Sequence, residues 1–131
     1  MSNDQSIEQE IIAKGLIAPR VTPADIDANI AVEYYFTGDD GVYGNAYNAP
    51  AGEYKPASSH DALRLLTFCI IVLRNGFTVT GESACASPEN FDAEIGRKIA
   101  RQNAVSKMWP LMGYALKERL YQSTQPAQSP K

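Results

Sequence analysis

The chain of 131 residues carries 44% apolar and 21% charged side chains, ordinary globular usage that excludes a wholly disordered or collagen-like polymer. Its net charge of −3 argues against a broad basic surface that would neutralise duplex nucleic acid, yet leaves room for one small positive pocket. The longest apolar run, near Leu65 to Leu73, is far short of the roughly 20 residues that cross a bilayer, and the opening MSNDQSIEQE has no apolar signal segment. A cytoplasmic protein with a single domain over residues 1–121 is expected.

In chain order, SIEQEIIAKG offers a short amphipathic turn or two ended by Gly15. The next stretch, RVTPADIDANIAVEYYF, predicts a helix from Pro23 to about Phe36. Thr22 can cap its free amides, Pro23 suits the first helical position, and Ile26, Ile30 and Tyr34 recur at spacings of four. Residues 37–61 are dense in Gly, Pro, Asn and Ser and read as a long loop. Its Tyr43, Tyr47 and Tyr54 suit either stacking on a planar ligand or partner, or pinning the loop to its own surface.

The run LLTFCIIVLRNGFTVTGESAC predicts a β-hairpin over about Leu65 to Cys85, with Asn75 and Gly76 as its two turn residues. That turn pairs Arg74 with Phe77, Val72 with Val79 and Cys69 with Glu82. Leu66, Phe68, Ile70 and Val72 then share a face with Phe77, Val79 and Cys85, while Leu65, Cys69, Ile71 and Leu73 share the other with Thr78, Thr80 and Glu82. The first strand is apolar on both faces and calls for cover on both, for which a partner subunit is suited. Cys69 and Cys85 point apart and are expected as free thiols.

From Ser87 the pattern turns helical, with Ser87 as cap and Pro88 in first position. Phe91, Ile95, Ile99, Val105, Trp109, Met112, Leu116 and Leu120 lie close to one stripe of a long helix, kinked near Pro110. Residues 122–131 read as a disordered tail. The fold class is therefore α+β: an N-terminal helix, a β-hairpin and a long C-terminal helix, in an oligomer.

Asn90, Arg97 and Arg101 fall within one narrow sector of that helix. Helix-start amides and guanidinium forks both bind phosphate, so this file suits a small phosphorylated ligand, with Asn90 reading a base edge or ribose. The alternative is a solvated face on which Glu94 pairs with Arg97 and Lys98. Ser83 and Ser87 are placed to touch a ligand, Ser87 serving equally as a plain helix cap; Phe77 suits stacking on a base or packing in a core. The lone His60 has no companion at metal-ligand spacing, Cys85 has no other histidine as a base, and GDDGVYG lacks the lysine of a phosphate loop. No metal, cofactor or catalytic residue is expected.

The segment LLTFCIIVLRNGFTVTGESACASPENFDAEIGRKIARQNAVSKMWPLMGYALKERL, and more loosely RVTPADIDANI and YYFTGDDGVYG, resembles a family of small tailed-phage and prophage proteins similar to the Thoeris anti-defence sponges. The resemblance implies a non-enzymatic protein that sequesters cyclic ADP-ribose-type signals, and in some members cyclic oligonucleotides, without cleaving them. It also implies a small α+β protomer assembled as dimers and hexamers, with pockets shared between neighbours. Phe77, Ser83, Ser87, Asn90, Arg97 and Arg101 are the candidate ligand-binding residues, with SPENFD and the arginines after it as the region carried over. The rival expectation is a protein-binding inhibitor that grips a host factor through the apolar hairpin and the tyrosine-bearing loop.

Overall fold

The structure, a computed structural model, describes residues 3–47 and 60–126. Its elements are α1 (Asn3–Ala13), α2 (Pro23–Ala28), β1 (Ile30–Thr37), α3 (Gly38–Tyr47), α4 (His60–Arg64), β2 (Leu66–Leu73), β3 (Thr78–Ala84), a 3-10 turn (Pro88–Asn90) and α5 (Ala93–Ser123). Contacts group them into two compact units, residues 1–29 with 108–131, and residues 30–107. Among the described residues, no helix is long and apolar enough to cross a membrane.

In the first unit, α1 ends as its sequence dictates. Gly15 takes φ +67, and the amides of Gly15 and Leu16 return to the carbonyls of Ile12 and Ile11 in a Schellman closure. Thr22 and Asp25 cap α2 reciprocally, each side chain accepting from the other's backbone amide. Arg20 forks onto Glu8, which holds the Glu8 carboxyl below its ordinary range, and the Trp109 indole donates to Asp4. Ile26 is buried.

The predicted helix from Pro23 to Phe36 is half strand. α2 stops at Ala28, and Ile30–Thr37 becomes β1. The same residues read with period two: Ile30, Val32, Tyr34 and Phe36 alternate with Glu33, Tyr35 and Thr37, and β-branched and aromatic side chains suit a pleated surface better than a helix. β1 pairs antiparallel with β2, which pairs antiparallel with β3, giving the order β1-β2-β3.

The hairpin forms, but one residue out of the expected register. Leu73 accepts from Gly76 at 2.9 Å and donates to Phe77 at 2.7 Å, so Arg74, Asn75 and Gly76 together make the loop. Gly76 alone there has positive φ, +89, whereas a two-residue type I′ turn needs it at both central positions. Asn75 instead bonds the Phe77 amide through its side chain. The observed pairs are Val72 with Thr78, Ile71 with Val79 and Cys69 with Gly81. A slip of one exchanges the faces of a strand. Val79 therefore joins Cys69, Ile71 and Leu73 in the core, and Thr78, Thr80 and Glu82 join Phe68, Ile70 and Val72 on the opposite face. Both cysteines are free, Cys69 buried and Cys85 half-buried with its thiol on the Ser87 carbonyl.

The residues expected as a loop over 37–61 open as a helix. Thr37 and Asp40 cap α3 reciprocally, and Asp39 and Asp40 sit at its positive end, which offsets the glycines within it. Residues 48–59, with Tyr54, and residues 127–131 lie outside the described residues; α5 runs on to Ser123, into the expected tail.

α5 starts later than expected. Ser87 makes no side-chain cap bond, and Pro88 opens only the 3-10 turn. Asp92 caps α5, its carboxylate accepting from Ile95 at 3.0 Å. The helix continues through Pro110 without a break. The helix face that enters the core of the second unit coincides with the expected stripe at Val105 and departs from it at Ile95 and Ile99. Gly96, Ala100, Ala104 and Val105 are buried, whereas Ile95 and Ile99 are 56% and 42% exposed. Small side chains let the two backbones approach: a Cβ on Gly81 would overlap backbone atoms of Ala100 and Ala104, and one on Gly96 would stand 3.0 Å from the Thr67 hydroxyl. The core then closes on Cys69, Ile71, Leu73 and Val79.

Candidate functional site

The ends of β1 and β2 that lie nearest the first turn of α5 enclose a cavity of about 120 Å³. β1 contributes Tyr35, Phe36 and Thr37 to its wall, β2 contributes Thr67, and Asp40 enters from the first turn of α3. Phe91, just before α5, and Ala93, its first residue, close that side, and Arg97, one turn on, completes the rim. Each position follows from local rules. Alternation along β1 sends Tyr35 and Thr37 to the helix side, and Gly96 lets α5 lie close enough to Thr67 for the next residue, Arg97, to reach the cavity.

Arg97 is exposed and forms no ion pair with any described residue. Arg101, one helical turn on, differs: its Nε donates to both Glu33 oxygens, at 3.0 and 3.2 Å. The Tyr35 hydroxyl donates to the same carboxylate at 3.0 Å. Burial, and then that bond to Glu33, push the Tyr35 phenol far above its ordinary range. Burial raises the Cys69 thiol, which lies opposite Tyr35 in the sheet. Lys98, on the outer face, pairs with Glu94 at 3.3 Å.

The six sequence candidates do not converge in one chain. Arg97 lines the cavity, and Ser83 lies one strand away, opposite Thr67. Asn90 is exposed in the 3-10 turn, not on α5, so the expected amide and guanidinium file is broken between them. Ser87 lies just before that turn, half-buried. Phe77 stands at the hairpin tip, 53% exposed and roughly 20 Å along β3 from Ser83 at a strand's rise per residue. The amino end of α5 already holds Asp92, whose negative charge occupies the place a phosphate would take. Phe91 lies within the SPENFD region, whereas Tyr35, Thr37, Asp40 and Thr67 were missed as lining residues; reading IAVEYYFT with period two would have placed the first two beside Thr67.

Chemically, the cavity offers the Arg97 guanidinium, the rings of Tyr35 and Phe91, two threonine hydroxyls and the Asp40 carboxylate, while the Phe36 ring stacks on Phe68 on the other face of the sheet; the guanidinium and the rings suit a phosphorylated ligand with a planar group. Among the described residues, no three His, Cys, Asp or Glu side chains form a group that could hold a metal ion. No curated protein and no solved structure matches this chain. The model of one family does match, over residues 21–120, from the cap of α2 through the sheet to the last turns of α5. That span covers most of the molecule, and the chain belongs to the phage protein (N4 Gp49/phage Sf6 gene 66) family.

Proposed function

We propose that this phage protein binds a small cyclic nucleotide signal of the cyclic ADP-ribose type, or a cyclic oligonucleotide, and sequesters it uncleaved in the cytoplasm of the infected host, blunting a defence response. The observation that carries the reading is Arg97, unpaired among the described residues at the rim of a cavity walled by Tyr35 and Phe91. A guanidinium fork binds phosphate oxygens with two parallel bonds, an aromatic wall accepts a base, and the Thr37 and Thr67 hydroxyls suit a ribose. The resemblance of the sequence to the Thoeris anti-defence sponges supports the same ligand class. At about 120 Å³ the cavity is smaller than a typical ligand pocket of about 300 Å³ or more, so such a ligand is covered by a second copy, in a dimer or a hexamer built from dimers.

Sequestration without turnover requires a preformed site and slow release. Calorimetry with cyclic ADP-ribose isomers and cyclic di- and trinucleotides tests the reading, together with mass spectrometry of what heat releases from the complex. Saturable binding of one ligand, its recovery intact and its loss in Arg97→Ala are expected. Absence of binding to every one of them, or recovery of a cleaved product, overturns it.

A second reading, a protein-binding inhibitor of a host factor, is favoured by the sheet face turned away from α5. There Val32 and Tyr34 are 37% and 60% exposed beside Ile70 and Val72, and Tyr43 on α3 is 48% exposed. Capture of one stoichiometric host protein, lost in Tyr34→Glu and indifferent to Arg97→Ala, would select this reading over the first.

A further inference from the structure

We propose that the two arginines on one face of α5 have different roles: Arg97 meets the anion of the ligand, whereas Arg101 acts through Glu33 to hold the Tyr35 ring as a wall of the cavity. The inference rests on the ligand-binding reading and assigns the work within that site.

Three observations carry it. Arg97 lines the cavity and Arg101 does not. Arg101 faces Glu33 on β1, with Nε 3.0 and 3.2 Å from the two carboxylate oxygens. Glu33 in turn accepts the Tyr35 hydroxyl at 3.0 Å, and Tyr35 does line the cavity. The Glu33 and Arg101 side chains are about one-third exposed, 32% and 38%, so the pair is partly shielded from water and salt. Glu33 and Tyr35 project to the same side of β1, two residues apart, and Arg101 holds the carboxylate from the opposing helix. A tyrosine ring has two side-chain torsions to settle; tethering its hydroxyl to an anchored carboxylate settles both before ligand arrives. Arg101 is therefore a positioning residue.

The opposite assignment makes a different prediction. Were Arg101 an anion contact, Glu33 would compete with the ligand for it, and removing Glu33 would tighten binding.

Calorimetry on the full chain with two probes, cyclic ADP-ribose and inorganic pyrophosphate, separates the roles. Arg97→Ala is expected to lose both probes. Arg101→Ala, Glu33→Ala and Tyr35→Phe are each expected to weaken cyclic ADP-ribose about tenfold, the worth of one well-placed ring, and to leave pyrophosphate within about twofold. The double variant Glu33→Ala with Arg101→Ala is expected to lose no more than either single one, because both cut the same tether. Glu33→Gln, whose amide oxygen still accepts the Tyr35 hydroxyl, recovers most of the loss and serves where Glu33→Ala fails to fold. Tighter binding in Glu33→Ala, or loss of pyrophosphate in Arg101→Ala equal to that in Arg97→Ala, overturns the proposal. NMR of the Tyr35 ring in the ligand-free protein decides it even if no probe binds, an outcome that counts against the binding reading alone. Those resonances are expected to shift alike in Glu33→Ala and Arg101→Ala and to stay put in Arg97→Ala; unmoved resonances in Arg101→Ala overturn the positioning role.

Discussion

Gly81 on β3 lies flush against the backbone of Ala100 on α5, so close that a methyl group on Gly81 would overlap the Ala100 carbonyl oxygen and the Ala104 nitrogen. Backbone cannot step aside as a flexible side chain can. Gly81→Ala is expected to destabilise the protein by about 3 kcal/mol, measured by urea unfolding. Gly113→Ala, on the same helix with open space around the added methyl, is the matched control and is expected to stabilise by about 1 kcal/mol.

The three-residue hairpin loop depends on one left-handed residue. Gly76→Ala is expected to cost about 1 to 2 kcal/mol, since a side chain at φ +89 meets its own backbone, and Gly76→Asn about half of that. Equilibrium unfolding of the two variants checks the order.

The aspartate at the start of α5 has a definite mechanical role. Asp92→Ala is expected to lose about 1 kcal/mol, while Ser87→Ala, which removes no cap bond, changes stability by less than about 0.5 kcal/mol. Thermal melts of the two variants side by side decide which residue caps the helix.

Alkaline pH should weaken the fold. In the folded protein Cys69 and Tyr35 hold their protons above the ordinary values of 9.0 and 10.0, in the first place because burial disfavours the charged forms. The unfolded chain releases those protons at the ordinary values, so it binds fewer of them there, and stability falls as pH rises from about 9 upward. The contribution is fully present below that pH. Urea midpoints between pH 7 and pH 11 are expected to drop, and the drop is expected to flatten in Tyr35→Phe and in Cys69→Ala, the latter from a lower starting stability.

Where neighbours along the chain decide an outcome, the sequence was legible. Thr22 with Pro23 announced a helix start, Gly15 a helix end and Asn75-Gly76 a hairpin, because caps and turns are made by side chains a few residues from the backbone they serve. The candidate site was legible at Arg97 and, through the SPENFD region, at Phe91. Its other walls come from β1, which a period of four had read as helix, and from Thr67, whose neighbour across the sheet, Ser83, depended on a register that one extra loop residue shifts.

By itself the sequence determined the α+β class, the hairpin, the long C-terminal helix and membership of a phage protein family, all properties of local pattern or of matched residues. Only the tertiary structure decided which face of α5 goes inward. Hydrophobic periodicity favoured Ile95 and Ile99, but the close approach of Gly81 to Ala100 and of Gly96 to Thr67 prevailed, because backbone contact over small residues packs the sheet more tightly than two isoleucines held at arm's length. That choice of face brings Arg97 to the cavity and Arg101 to Glu33, a distinction that equal spacing along one helix could not express.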